Sequence, residues 1–279
     1  SNAALANAFR HTDVSAWIRR WPLKRGHNPL TPFPEYEEAY FKGQEHADYD
    51  DYWKQPGWNV EEHFDKFADV PSVFSTGWYD RYVRAESEGY YCNFVKRKKS
   101  SAKLMIGPWI HGDSESLAQT YAGDVAFGLA AAVDLDKMRI EWFDHWLKGR
   151  KTKTTEEPPV KIFVMGGGDG KKNREGRMVH GGRWRYENEW PLARTQYTKY
   201  YLHENGTLSQ AAPKTTSSCS SYDFDPNNPV PTIGGTVTTL LRFLPDGTRE
   251  RVVLHGAFNQ VEDEKFVYCK PPYLPLASR

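Results

Sequence analysis

Two segments of the chain repeat one form. Val70-Pro71-Ser72-Val73-Phe74-Ser75-Thr76-Gly77-Trp78-Tyr79-Asp80 is a short apolar strand pattern, then a glycine, two aromatics and an acid. Leu104-Met105-Ile106-Gly107-Pro108-Trp109-Ile110-His111 has the same form and closes on a histidine. The pattern predicts strands over 70–76 and 102–106, with a helix over roughly 82–97 between them. A second helix over 133–148 follows, where Leu135, Met138, Trp142, Phe143, Trp146 and Leu147 recur near helical spacing and Gly149 is a candidate C-cap. Strand-helix-strand-helix order implies a parallel sheet with right-handed crossovers. The apolar stripe of the second helix is expected to face the core.

In such sheets, functional side chains stand just beyond the carboxyl ends of the strands. Asp80 and His111 lie 31 residues apart, a spacing that fits one crossover helix and places them on adjacent strands. Taken singly, an acid after a strand is often a turn residue or helix cap, and a histidine in a Trp-rich loop is often structural. Taken together they form the acid and base half of a Ser-His-Asp arrangement. In the α/β-hydrolase order the nucleophile comes first, in a Gly-x-Ser-x-Gly turn, and the acid and histidine follow. No Gly-x-Ser-x-Gly occurs in the 279 residues.

Composition narrows the classes. The net charge of +1 gives no global field for nucleic acid or an acidic membrane, so neither is expected as a partner. The basic run Lys96-Arg97-Lys98-Lys99 reads as a solvated helix end, where the dipole favours cations. Cys92, Cys219 and Cys269 are odd in number and widely spaced, which is neither a disulfide framework nor a metal cluster and favours a reducing, cytoplasmic compartment. No stretch approaches the roughly 18 apolar residues of a membrane span. No cofactor or metal is called for. The acids and histidine of Glu45–Trp53 lack ligand spacing and read as a polar helix face. Ser1-Asn2-Ala3 resembles the residue of a removed expression tag and is set aside, so a native leader would not be visible.

Residues 4–30 carry a short helical pattern on Val14, Trp17, Ile18 and Trp21, and residues 28–60 are irregular. A charged linker from Arg150 to Glu157 leads to Pro158-Pro159, where a second domain is expected to begin. Beyond it the chain is strand-like: Val160–Met165, Thr198–Leu202, Thr236–Phe243 and Arg251–Leu254, with Asn205-Gly206 and Asp246-Gly247 as hairpin turns. This is all-β texture of sandwich or jelly-roll type. Gly166-Gly167-Gly168-Asp169-Gly170 imitates a phosphate loop, but no apolar helix follows it, and a hairpin is expected instead. The sequon Asn205-Gly206-Thr207 reads as a turn. Trp184, Tyr186 and Trp190 could form a binding platform but are expected to pack a domain interface.

Three blocks now on the page resemble a known family. Gly77-Trp78-Tyr79-Asp80, then Gly107-Pro108-Trp109-Ile110-His111-Gly112, then Arg139-Ile140-Glu141-Trp142-Phe143-Asp144-His145-Trp146-Leu147-Lys148-Gly149 resemble consecutive blocks of the cocaine-esterase/NonD-type serine hydrolases of the X-Pro dipeptidyl-peptidase superfamily. The resemblance runs through Pro159–Gly166, Trp184, Trp190-Pro191 and Tyr201-Leu202 to Gly256–Gln260, about residues 40–268. It implies an α/β-hydrolase domain bearing a helical cap, followed by a C-terminal jelly roll. It divides the chain into a cap remnant and return to the sheet (4–65), the C-terminal half of the α/β-hydrolase domain (66–150) and an incomplete jelly roll (158–279). It implies that Asp80 is the triad acid, His111 the triad base, and Tyr82 an aromatic at the acyl pocket.

The substrate is then expected to be a small-molecule ester or a peptide. The serine block would precede residue 1, so this chain alone is expected to be inactive. A homo-oligomer or a complementary N-terminal segment could supply the missing strands. Two departures from the family are visible: Asn259 stands where an Asp is usual, and Tyr82 and Val83 stand where the α-amino-acid ester hydrolases place acids. The alternative reading is a non-catalytic β-sandwich binding or structural module.

Overall fold

A computed structural model describes residues 22–111 and 119–214, and beyond them 219, 221, 223–225, 234–236, 241–243, 249–251 and 255–258. The helical pattern at Val14–Trp21 and the Asn259 position lie outside the described residues. Helix α1 spans Pro34–Glu45, with proline in its first turn, and a 3-10 segment spans Glu61–Lys66. Strand β1 is Ser72–Tyr79. A π-helical segment, Ala85–Cys92, runs into helix α2, Asn93–Arg97, and strand β2 is Ala102–Ile110. Two short strands, β3 (Tyr121–Ala122) and β4 (Val125–Ala126), precede a 3-10 turn at Leu129–Ala131. Helix α3 is Leu135–Lys148 and helix α4 is Lys153–Glu156. Strands β5 (Val160–Met165), β6 (Met178–Val179) and β7 (Gly182–Glu187) follow. The last strands are β8 (Tyr201–Leu202), β9 (Leu208–Ser209), β10 (Leu241–Phe243) and β11 (Arg249–Arg251).

The organising element is a four-stranded sheet in the order β1-β2-β5-β7. β1, β2 and β5 are parallel, and β7 closes one edge antiparallel to β5. The parallel β1-β2 pair and the helical crossover between them are as the sequence predicts. The sheet also continues past Pro158-Pro159: Leu104 pairs with Val160 and Ile106 with Ile162. Val160–Met165, expected as the first strand of the β region, thus lies in the same sheet as the acid and histidine strands.

Alternation along the strands divides the core. Phe74, Leu104, Ile106, Val160 and Ile162 face the π-helical segment and pack on Tyr91, Phe94 and Phe64. Met105 and Trp109 pack with Leu135, Met138 and Trp184. The indoles of Trp109 and Trp184 donate to the carbonyls of Ala131 and Ala130, 3.0 and 2.6 Å away, tying the Leu129–Ala131 turn to the sheet. Trp190 packs toward Trp78, with ring centroids 6.3 Å apart. Trp184 and Trp190 thus pack on the sheet and its neighbours, while Tyr186 is 40% exposed.

Helix α3 begins and ends on local signals. Asp134 accepts the Lys137 N–H as N-cap, and Gly149 adopts the left-handed conformation at φ 68° as C-cap. Its apolar stripe does not all face the core. Leu135 and Trp142 are buried, but Phe143 is 55% exposed and Leu147 76%. Periodicity marks a face without saying whether a neighbour covers it.

In the C-terminal part, Asn205-Gly206 turns between β8 and β9, and β10 pairs antiparallel with β11 across the Asp246-Gly247 position. The turn 244–248 itself lies outside the described residues. Both ladders are two-stranded. Among the described residues, no helix is long and apolar enough to cross a membrane.

Candidate active site

The register of β1 against β2 sets the site. Gly77 pairs with Gly107, yet Tyr79 pairs with Ile110, so β2 carries one extra residue in this interval. That is a β-bulge, a device that bends a strand and re-aims its side chains. Pro108, which has no N–H to give a ladder, sits within it. The two paired glycines make room. A Cβ on Gly77 would lie 2.2 Å from the Trp109 carbonyl oxygen, and one on Gly107 would lie 2.4 Å from the Trp109 ring. The strand-glycine-aromatic form shared by the two segments thus has a cause: the glycines let the buried Trp109 and its backbone approach both strands.

Beyond the bulge, His111 meets Asp80. The His111 Nδ1 lies 3.0 Å from Asp80 Oδ2. The carboxylate accepts, so Nδ1 carries a proton; in the neutral ring that leaves the lone pair on Nε2. Asp80 is held from both sides. Its N–H donates to the Gly77 carbonyl at 2.9 Å, and its Oδ1 accepts the Tyr82 N–H at 2.9 Å. The Asp80 side chain is 12% exposed and that of His111 44%, so the acid is inside and the base faces outward. Tyr82 lies beside the imidazole, ring centroids 5.1 Å apart, and Arg81 stacks over the tyrosine ring at 4.7 Å. The structure thus brings all three sequence-predicted residues together: Asp80, His111 and Tyr82.

Glu86 was not singled out by the sequence. Its carboxyl pKa is raised, first by burial and then by the charge of Asp80. It sits in the π-helical segment, whose N–H at Glu86 donates to the Tyr82 carbonyl at 2.9 Å. π-Helical turns recur near functional sites, but the sequence here reads as an ordinary helix and gives no signal of one.

A raised folded-state pKa means that the fold favours the protonated carboxyl. Ionisation therefore costs stability above the folded pKa, and the cost is absent below the unfolded value of about 4.3. Glu86→Gln is accordingly expected to stabilise the chain by about 1 kcal/mol at neutral pH. The gain should vanish by about pH 4, and urea denaturation at the two pH values measures it. An equal gain at both would remove the burial argument.

Among the described residues, no group of three or more His, Cys, Asp or Glu is placed to hold a metal. His46 bonds Asp50 at 2.5 Å and stacks on Tyr52, with centroids 4.4 Å apart.

Comparison with known proteins gives two family matches. The model of the X-Pro dipeptidyl-peptidase (S15 family) matches residues 2–113. The model of the X-Pro dipeptidyl-peptidase C-terminal non-catalytic domain matches residues 152–259. The chain is 30% identical over 205 residues to the cocaine esterase of Rhodococcus sp. (strain MB1 Bresler), covering 69% of this chain and 31% of the esterase. It thus spans about a third of that relative's length. A solved CocE/NonD family hydrolase from Staphylococcus aureus superposes with a TM-score of 0.41 at 21% identity, covering 62% of this chain and 26% of the other.

Proposed function

Since the chain belongs to the cocaine-esterase/NonD-type serine hydrolases of the X-Pro dipeptidyl-peptidase superfamily, we propose that Asp80 and His111 are the acid and base of an acyl-transfer site for an ester or peptide substrate. The observation that carries this reading is the 3.0 Å contact between them at the ends of adjacent parallel strands. A serine hydroxyl is a poor nucleophile until an imidazole accepts its proton. His111 Nε2 would take that proton as the hydroxyl attacks the acyl carbon, and would then return it to the leaving group. A water deprotonated by the same nitrogen would release the acid. Asp80 would hold the Nδ1–H tautomer and stabilise the imidazolium. Tyr82, beside the ring, would wall the acyl pocket.

The serine itself is proposed to come from a complementary segment outside these 279 residues. Among the described residues, β1 has no strand on its outer edge, and α3 leaves Ile140, Phe143 and Leu147 exposed. An open edge beside an apolar helix face favours pairing with a further strand. On the same reading, residues 4–65 are the remnant of a cap and 66–150 belong to the C-terminal half of the hydrolase domain; because β5 and β7 join its sheet, that domain runs on past Pro158-Pro159 and any jelly-roll strands begin after β7.

A fluorophosphonate probe tests the assignment. The 279-residue chain alone should remain unlabelled and should turn over a short-chain aryl ester no faster than buffer. Removing the nucleophile from such a triad costs on the order of a million-fold. Labelling of this chain, with turnover lost on His111→Ala, would place the nucleophile inside it and overturn the proposal of an outside serine. Light scattering tests the open edge: a strictly monomeric, well-folded species would count against it.

A further inference from the structure

At the other end of the same strands, two lysines enter a cleft. Lys103 on β2 and Lys161 on β5 project to the sheet face shared by Met105, which helices α3 and α4 cover. The cleft has a volume of about 330 Å³, within the usual range for small-molecule sites. Its apolar lining includes Val73, Met105, Met138, Pro158 and Trp184, beside several charged side chains. Lys161 lies over the rings of Trp184 and Tyr186, at 5.1 and 5.4 Å. Its side chain is 25% exposed.

Lysines on a covered sheet face normally have carboxylates to match. Here both turn to one residue, Glu157. The Lys103 ammonium donates to the Glu157 backbone carbonyl. Lys161 reaches the Glu157 carboxylate only at 3.8 Å. The other oxygen of that carboxylate accepts the Tyr186 hydroxyl at 2.7 Å. Glu141 accepts the N–H and hydroxyl of Thr154 on one oxygen, Oε2, and its charge is set against Lys137 and Lys153. Asp134 is spent on capping α3. Two ammonium groups, each with three donors, thus share a single carboxylate. Burial lowers the pKa of Lys103, Glu157 raises it in part, and Lys161 lowers it again. Lys137 and Lys153 also line the cleft, where the carboxylates of Glu141 and Asp134 offset their charge, so the surplus of one ammonium stays.

We propose that this cleft binds a small organic monocarboxylate, its carboxylate held by Lys103 and Lys161 and its apolar body lying against Met105, Met138 and Trp184. One negative charge balances the surplus of one ammonium over Glu157, and an apolar tail matches the walls better than a compact inorganic anion would. The assignment is independent of the acyl-transfer reading: it uses none of the residues of that site.

Hexanoate is the probe and hexanol its uncharged control. Hexanoate should protect Lys103 and Lys161 of the wild-type chain from trinitrobenzenesulfonate, mapped by mass spectrometry, with a Kd of about 1 mM. Hexanol at the same concentration should leave their labelling unchanged. Lys103→Met and Lys161→Met, which keep the aliphatic stem, should each weaken hexanoate binding about tenfold or more in calorimetry, the worth of a charge-assisted hydrogen bond. Equal protection by hexanol, no protection at about 10 mM hexanoate, or unchanged affinity in both variants would overturn the proposal. The labelling experiment needs no variant, so it decides even where a substitution prevents folding.

Discussion

Asp80→Asn, tested in a form that carries the proposed serine segment, is expected to lower kcat for an aryl ester about 10⁴-fold, the loss known when a triad acid becomes an amide. The reason lies in which atoms face each other. Asp80 Oδ2 stands 3.0 Å from His111 Nδ1 and accepts its proton. An asparagine can present an NH₂ group there, which pairs with an unprotonated Nδ1. The proton then moves to Nε2, and the nitrogen that should act as base has no lone pair. The second oxygen is fixed by the Tyr82 N–H at 2.9 Å, so the amide has a built partner for its carbonyl and is driven to turn its nitrogen to the histidine. Substrate binding does not pass through Asp80, so KM should change little. Single-turnover and steady-state kinetics on the two forms measure the split. A kcat within tenfold of the unmodified protein would show that Asp80 is a turn residue and no more.

The second large effect concerns a residue with no side chain. Gly77→Ala should cost about 3 kcal/mol or more, read as a drop in the urea midpoint. The new Cβ would lie 2.2 Å from the Trp109 carbonyl oxygen and 2.7 Å from its carbon. These are backbone atoms of the neighbouring strand, so no rotamer change relieves the clash. β1 and β2 must part at the point where the bulge begins. Trp109 is two residues before His111, so the separation should also break the Asp80–His111 contact, visible as a change in the histidine NMR shifts. Gly167→Ala is the control, because a Cβ there meets nothing within 4 Å. If both alanines leave the urea midpoint unchanged, close packing at Gly77 is not what positions the site.

Much of the site is legible in the sequence, and the rest is hidden for physical reasons. Asp80 and His111 could be paired from sequence because each ends a strand pattern and one helix fits between them. The sequence pattern ends both strands too early. Ser72–Tyr79 and Ala102–Ile110 run through Gly77, Gly107 and Pro108, residues that punctuate most strands. What keeps them in the ladder is tertiary: Trp109 packs where side chains would otherwise stand. The place of Val160–Met165 was not legible for a related reason. Its local pattern marks a strand, but the choice of β2 as neighbour depends on long-range pairing that no short window contains. The exposed Phe143 and Leu147 show the same limit on helix α3. The raised carboxyl at Glu86 depends on its burial and on the charge of Asp80, and nothing in Ala85–Cys92 announces either.

The extra residue of β2 has a consequence for how the dyad can vary. Side chains along a strand leave by alternate faces, so the parity of the count between Gly107 and His111 decides on which side of the sheet the imidazole emerges. Shortening that interval by one position would send the ring to the opposite layer while Asp80 stayed in place. The dyad could thus be dismantled by a change in length alone, with both of its members still present in the gene.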